Sequence, residues 1–211
     1  IWNGESTTNT KIKIKNIKKK IGNYFLDKKL IKFIEWFSMY NMAPKGLALK
    51  MCIGSNENYF KQNKKSAQKK ITTGVKYKLN EQQKIALAYL GKNNLTFNVS
   101  VLEGITGSGK TLVYFERIKK IISNNKQALV LLPEIFLTNQ FKSRFEDFFG
   151  FAPAVWHSKI TPKNKRTIWQ GIINNEIKLV IGARSSLMLP FKKLGLIIVD
   201  EEHDSSYKQD E

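Results

Sequence analysis

GITGSGKT, residues 104–111, decides how this chain is read. It lies between the apolar stretch NVSVLE (98–103) and the amphipathic stretch LVYFERIKKII (112–122). The spacing matches G-x-x-x-x-G-K-[ST], a loop that cradles phosphate groups where a strand turns into a helix. Backbone N–H groups must converge on the anion there. Gly104, Gly107 and Gly109 keep Cβ atoms out of the way, while Ile105, Thr106 and Ser108 add their amides to the cradle. The helix that follows aims its positive end at the same anion. By this motif Lys110 reaches the β and γ phosphates of ATP, and the Thr111 hydroxyl ligates Mg²⁺.

Working outward, a second signal comes 90 residues after Lys110. LGLIIVDEEHD is an apolar strand that ends in carboxylates at the height where the phosphates would sit. Asp200 is placed to hold Mg²⁺ and Glu201 to polarise the attacking water. The order D-E-x-H, with His203, is that of superfamily 2 helicases rather than of transporter or recombinase ATPases. Upstream, Gln83 precedes Lys110 by 27 residues. It has two readings, both kept open: a capping-box partner for Asn80, or an amide that recognises adenine.

Between these signals, short Val/Ile/Leu runs alternate with amphipathic stretches. NVSVLE, QALVLLP, FAPAVWH, IKLVIGA and LGLIIVD read as strands, and about 110–123, 136–149 and 162–175 as helices. LNEQQKIALAYLGKN reads as a further helix capped by Asn80. Strands separated by helices mean an α/β fold with a parallel sheet covered on both faces. Trp156, Trp169 and His157 read as packing residues, and the KNKR run at 163–166 as a solvated helix face.

The first third differs in character. Residues 1–78 carry 18 basic and 4 acidic side chains, against 18 and 13 in 79–211, within a net charge of +19. Only four of the 36 basic residues are Arg, a bias that an AT-rich genome also produces. The uneven distribution is what points to a polyanionic partner. KIKIKNI (11–17) alternates as a half-exposed strand. DKKLIKFIEWFSMYNMAP (27–44) reads as a helix capped by Asp27 and ended by Pro44, and GLALKMCIG as a short helix or turn. Residues 55–78 read as a basic linker. The apolar runs are too short to cross a bilayer. The single cysteine, Cys52, excludes an internal disulfide or a cysteine zinc site, and suits a reducing, cytoplasmic setting.

GITGSGKT, LVLLPEIFLTNQF, HS followed by KRTIW, IGARSSLMLPF and LGLIIVDEEHDSSYKQ together resemble the primosomal replication-restart DNA helicase family, PriA, across 79–211. DKKLIKFIEWFSMYNMAPKGLALKM is similar to the segment where that family's DNA-binding barrel gives way to a winged helix. The resemblance implies a RecA-like ATP-binding lobe at 79–211. It implies the end of a barrel at 1–24 and a shortened winged-helix remnant at 25–54. It also implies a 3′→5′ DNA-unwinding ATPase that restarts stalled forks, with forked and single-stranded DNA, primosome proteins and single-stranded-DNA-binding protein as partners.

On the same resemblance, Lys110 and Glu201 are the catalytic pair, and Gln83 with Gly104–Thr111 binds nucleotide. Pro133, Glu134, Arg184 and Ser185 face DNA, His203 couples nucleotide state to DNA contact, and Tyr207 begins an aromatic-rich loop. Leu112 replaces an acidic residue and Ala183 a Thr. The chain begins at Ile1 and stops soon after DEEH. It is therefore expected to be an interior fragment, with the zinc module and the second motor lobe beyond its C-terminus. Such a fragment should bind nucleotide with little turnover. The alternatives are a superfamily 2 translocase that does not separate strands, and a non-catalytic DNA-binding scaffold.

Overall fold

The structure is a computed structural model, which describes residues 26–53, 59, 77–92, 97–105 and 107–207. Its centre is a four-stranded sheet of β1 (Gln127–Leu131), β2 (Ala154–Trp156), β3 (Leu179–Gly182) and β4 (Leu194–Val199). The order is β2-β3-β1-β4, and every pairing is parallel. Helices α4 (Lys110–Ser123), α5 (Asn139–Phe149) and α6 (Pro162–Ile173) connect to or precede these strands. This is the α/β architecture of a RecA-like lobe.

Two-residue periodicity sorts β1 between two helical layers. Ala128, Val130 and Leu132 point into a core with Phe115, Ile118 and Ile122 of α4 and Phe145, Phe148 and Phe149 of α5. Phe115 is the hub, with ring centroids 4.5 Å from Phe145, 5.0 Å from Phe148 and 5.3 Å from Phe149. Leu129 and Leu131 point the other way, against Trp169 and Ile172 of α6. Each fully buried aromatic of this kind contributes about 1.5–3 kcal/mol from burial.

The N-terminal helices α1 (Lys28–Tyr40) and α2 (Lys45–Ile53) dock on the lobe. Ile34, Ala48 and Cys52 share a core with Met188, and the Trp169 indole N–H donates to the Cys52 carbonyl at 2.8 Å. Asp27 caps α1 as expected. The helix stops at Tyr40 rather than at the proline. Met42 turns the chain at φ 47°, and Pro44 instead precedes α2, where its carbonyl accepts the first helical bonds. Tyr59, in the expected linker, packs edge-on against Trp169 at 5.7 Å. The expected barrel end at 1–24 and most of 55–78 lie outside the described residues.

Two other expectations need correction. The stretch 136–149 does not start as a helix: a 3-10 turn spans Glu134–Phe136, and α5 begins at Asn139, capped by Thr138. Pro133 holds extended backbone at ψ 143°, so regular helix begins only where Thr138 supplies a cap. NVSVLE is not a strand: residues 97–105 have no regular structure, and Phe97 and Val101 are 91% and 89% exposed. The alternating valines express a β propensity, but a strand needs a hydrogen-bonded neighbour. Neither edge of the described sheet pairs with this segment. The helix before it, α3 (Glu81–Gly91), packs on α4.

Candidate nucleotide and metal site

In a parallel sheet all strands end on one side, and ligands bind there. Pro133 and Glu134 follow β1, His157 follows β2, Arg184 and Ser185 follow β3, and Asp200, Glu201 and His203 follow β4. Three backbone bonds carry the ladder to that rim: Leu132 N–H to Gly182, Ala183 N–H to Trp156 and Asp200 N–H to Leu131. The sequence-predicted residues are therefore gathered at one edge.

The phosphate loop enters this edge at the start of α4. Gly107 and Gly109 take left-handed φ of 81° and 82°, a conformation that penalises any side chain. A Cβ on Gly104 would lie 2.8 Å from Ser108 Oγ, and one on Gly109 would lie 2.3 Å from Gln83 Nε2. Gly109 is the N-cap of α4 and no side chain caps the helix. Its first amides therefore face the loop as an anion site. Lys110 Nζ donates to the carbonyls of Gly104 and Ile105, which curls the loop around the ammonium. Thr106 lies outside the described residues.

Gln83 satisfies one of its two readings and adds a contact that neither foresaw. Its N–H and Oε1 form the reciprocal capping box with Asn80. Its Nε2 donates to the Ser108 carbonyl at 3.0 Å. The amide thus grips the loop from α3, and one N–H and one oxygen lone pair are left over from these bonds.

The link between loop and strand end is Tyr114, a residue that motif reading passes over. Its hydroxyl donates to Asp200 Oδ2 at 2.8 Å, while Asp200 Oδ1 accepts from the Glu201 N–H at 3.1 Å. Burial, and then the Asp200 carboxylate, push the phenol well above the usual tyrosine range, so it stays a donor. A signal for it existed. Tyr114 lies three residues after Thr111, on the same helix face, as a lone hydroxyl in an apolar stripe.

Glu201 adopts φ 52°, which turns the chain sharply after β4. His203 is 77% exposed, with Nε2 3.5 Å from Glu201 Oε2. The Tyr207 hydroxyl donates to the Asp200 carbonyl at 2.9 Å, and Arg184 Nη1 donates to the Tyr207 carbonyl at 3.3 Å. Burial, then Asp200, raise the Tyr207 phenol as well. Glu134 turns away from the metal side. It accepts from the Ser158 N–H and hydroxyl, both at 3.3 Å, and those bonds hold its carboxyl below the ordinary range.

A divalent ion fits this donor set. Among the described residues no group of three or more His, Cys, Asp or Glu forms a closed cage. Mg²⁺ uses one or two protein oxygens together with phosphate oxygens and water. The Thr111 hydroxyl, at the start of α4, and the Asp200 carboxylate, at the end of β4, could supply those protein oxygens. Cys52 is buried, with its thiol pushed up to about 11, and offers no zinc ligand. No helix among the described residues is long and apolar enough to cross a membrane.

The chain is similar to known proteins. The family model for the DEAD/DEAH box helicase matches residues 79–211. A Rickettsia conorii protein named replication restart protein PriA is 42% identical over 212 residues, covering 100% of this chain and 32% of its own length. A Bacillus subtilis protein of the same name is 50% identical over 113 residues, covering 54% of this chain and 14% of its own. One from Haemophilus influenzae is 46% identical over 131 residues, covering 62% and 18%. The chain spans about a third of the length of the Rickettsia relative. A glycine-pinned phosphate loop, tied through one tyrosine to the DEEH strand and matched across 79–211, makes this chain a member of the DEAD/DEAH box helicase family.

Proposed function

We propose that the complete protein is an ATP-dependent DNA helicase that unwinds 3′→5′ and acts in replication restart at stalled forks. The observation that carries this reading is the Tyr114–Asp200 bond, which brings the phosphate loop and the DEEH carboxylates to one place.

In this reading the α4 amides and Lys110 hold the ATP phosphates and stabilise the charge that develops on them. Thr111 and Asp200 hold Mg²⁺. When bound, that ion neutralises the β and γ oxygens. Glu201 orients the attacking water, and the remaining amide capacity of Gln83 reads the adenine edge. Arg184, Ser185, Pro133, Glu134 and His203 lie on the rim where a DNA backbone would pass. Separating one base-pair step costs roughly 1.4 kcal/mol, a modest load for a hydrolysis-driven motor. The basic 25–54 and 55–78 regions add DNA affinity as a winged-helix remnant and linker ahead of the lobe at 79–211. Primosome proteins and single-stranded-DNA-binding protein are the proposed partners, and Zn²⁺ is proposed for the part of the protein beyond this chain. A setting in the cytoplasm is part of the same proposal.

The test is a forked-duplex unwinding assay with the complete protein and its Glu201→Gln variant. Wild type should unwind and hydrolyse ATP. The variant should bind nucleotide and lose turnover by about 10²–10⁴. Unchanged turnover in the variant would leave a DNA-binding scaffold as the better reading. Turnover and movement on duplex without strand separation would identify a translocase.

A further inference from the structure

We propose that Tyr114 is a positioning residue for the metal–nucleotide site: its phenol, on the helix that carries Thr111, orients the Asp200 carboxylate. The inference rests on the proposed metal role of those two residues, and adds a third that no motif assigns.

A phenol has one proton to donate and lone pairs to accept with. Tyr114 gives its proton to Asp200 Oδ2 at 2.8 Å. With Oδ2 held by Tyr114 and Oδ1 by the Glu201 N–H, the Asp200 carboxylate is fixed in rotation.

The phenol itself has little freedom. It is 6% exposed, sits in the central core, and meets the Phe115 ring edge-on at 5.3 Å. It hangs from α4, the helix that carries Thr111, and its partner ends β4. A fixed donor between two elements is what an outer-shell residue needs in order to set a metal ligand.

The experiment is Tyr114→Phe in the complete protein, read by binding of a fluorescent ADP analogue while Mg²⁺ is titrated, with an EDTA series beside it. Phe keeps the ring and its packing and removes only the hydroxyl. Loss of an outer-shell partner weakens metal affinity by about 10–100-fold. The Mg²⁺ concentration for half-maximal effect should therefore rise about tenfold or more, while nucleotide affinity in EDTA stays at the wild-type value.

Asp200→Asn is measured in parallel. If Asp200→Asn removes the Mg²⁺ effect and Tyr114→Phe leaves it at wild type, the role of Tyr114 is overturned and the metal site stands. If Tyr114→Phe weakens binding equally with and without Mg²⁺, the tyrosine is only a packing residue and the inference is overturned too. If Asp200→Asn itself leaves the Mg²⁺ effect intact, the underlying metal assignment fails, whatever Tyr114 does.

Discussion

Tyr207 bridges Arg184 and Asp200: its hydroxyl donates to the Asp200 carbonyl at 2.9 Å, and its own carbonyl accepts from Arg184 Nη1 at 3.3 Å. The turn after β3 and the carboxylate end of β4 therefore meet at one residue. If DNA passes over the Arg184 turn, its binding is felt at Asp200 through this tyrosine. Tyr207→Phe removes one hydrogen bond, a loss of about 1 kcal/mol, or fivefold in a rate. We expect DNA stimulation of ATP hydrolysis by the complete protein to fall about fivefold, with nucleotide affinity unchanged. Stimulation equal to wild type would detach Tyr207 from coupling.

The loop glycines make a graded prediction. Gly107 and Gly109 share the same left-handed backbone, but a Cβ meets nothing within 4 Å at 107 and Gln83 Nε2 at 2.3 Å at 109. Gly107→Ala should cost only the backbone penalty of about 1–2 kcal/mol. Gly109→Ala should cost that and also displace the Gln83 amide from Ser108. Calorimetric nucleotide titration should rank wild type above Gly107→Ala, and Gly107→Ala above Gly109→Ala. Adding Gln83→Ala should narrow the gap between the two glycine variants. Equal affinities for both would show that the Gln83 contact does not matter to the loop.

Local pattern carried much of this molecule. Four of the five expected strands form, Asp27 and Asn80 cap the helices they precede, and the phosphate loop opens α4. What failed was local signal without a tertiary partner. Val99 and Val101 alternate as a strand does, yet no described neighbour pairs with them. Pro133 and Thr138 moved the start of α5, because a cap outweighs apolar spacing. At the site, the motifs named the residues proposed to hold phosphate. They could not name Tyr114, whose role depends on a partner 86 positions away, or the grip of Gln83 on Ser108, 25 positions away.

Gln127 is another residue whose role only the fold reveals. It is fully buried at the first position of β1. Its Nε2 donates to the Ile172 carbonyl at 3.0 Å and the Ile177 carbonyl at 2.8 Å, and its Oε1 accepts from the Lys193 N–H at 2.8 Å. One amide thus ties the end of α6, the approach to β3 and the approach to β4. Gln127→Leu preserves bulk but strands the Ile177 carbonyl and the Lys193 N–H, at about 1–3 kcal/mol for each left unsatisfied, while the Ile172 carbonyl keeps its bond from the Asn175 N–H. Urea denaturation should show a loss of roughly 2 kcal/mol or more, with an unchanged m-value. A loss below about 1 kcal/mol would mean that water or relaxation replaces these bonds.

Cys52 reports on how firmly α1 and α2 sit on the lobe. Its side chain is 1% exposed beside Ile34, Ala48 and Met188, and its carbonyl accepts from the Trp169 indole N–H at 2.8 Å. Burial pushes the thiol from its ordinary 9.0 up to about 11. The native state therefore holds its proton where the unfolded chain has lost it. This contribution to stability is fully present below pH 9 and is lost as pH rises from about 9 to about 11. Two measurements follow. At pH 8 a thiol reagent should modify native Cys52 far more slowly than the urea-unfolded chain, because both access and thiolate are suppressed. Trp169→Phe, which deletes the indole donor, should speed native labelling by about fivefold, the equivalent of about 1 kcal/mol in the opening equilibrium. Native labelling as fast as unfolded labelling would mean that α2 is not seated on α6, and the shared core of Cys52 and Met188 would have to be given up.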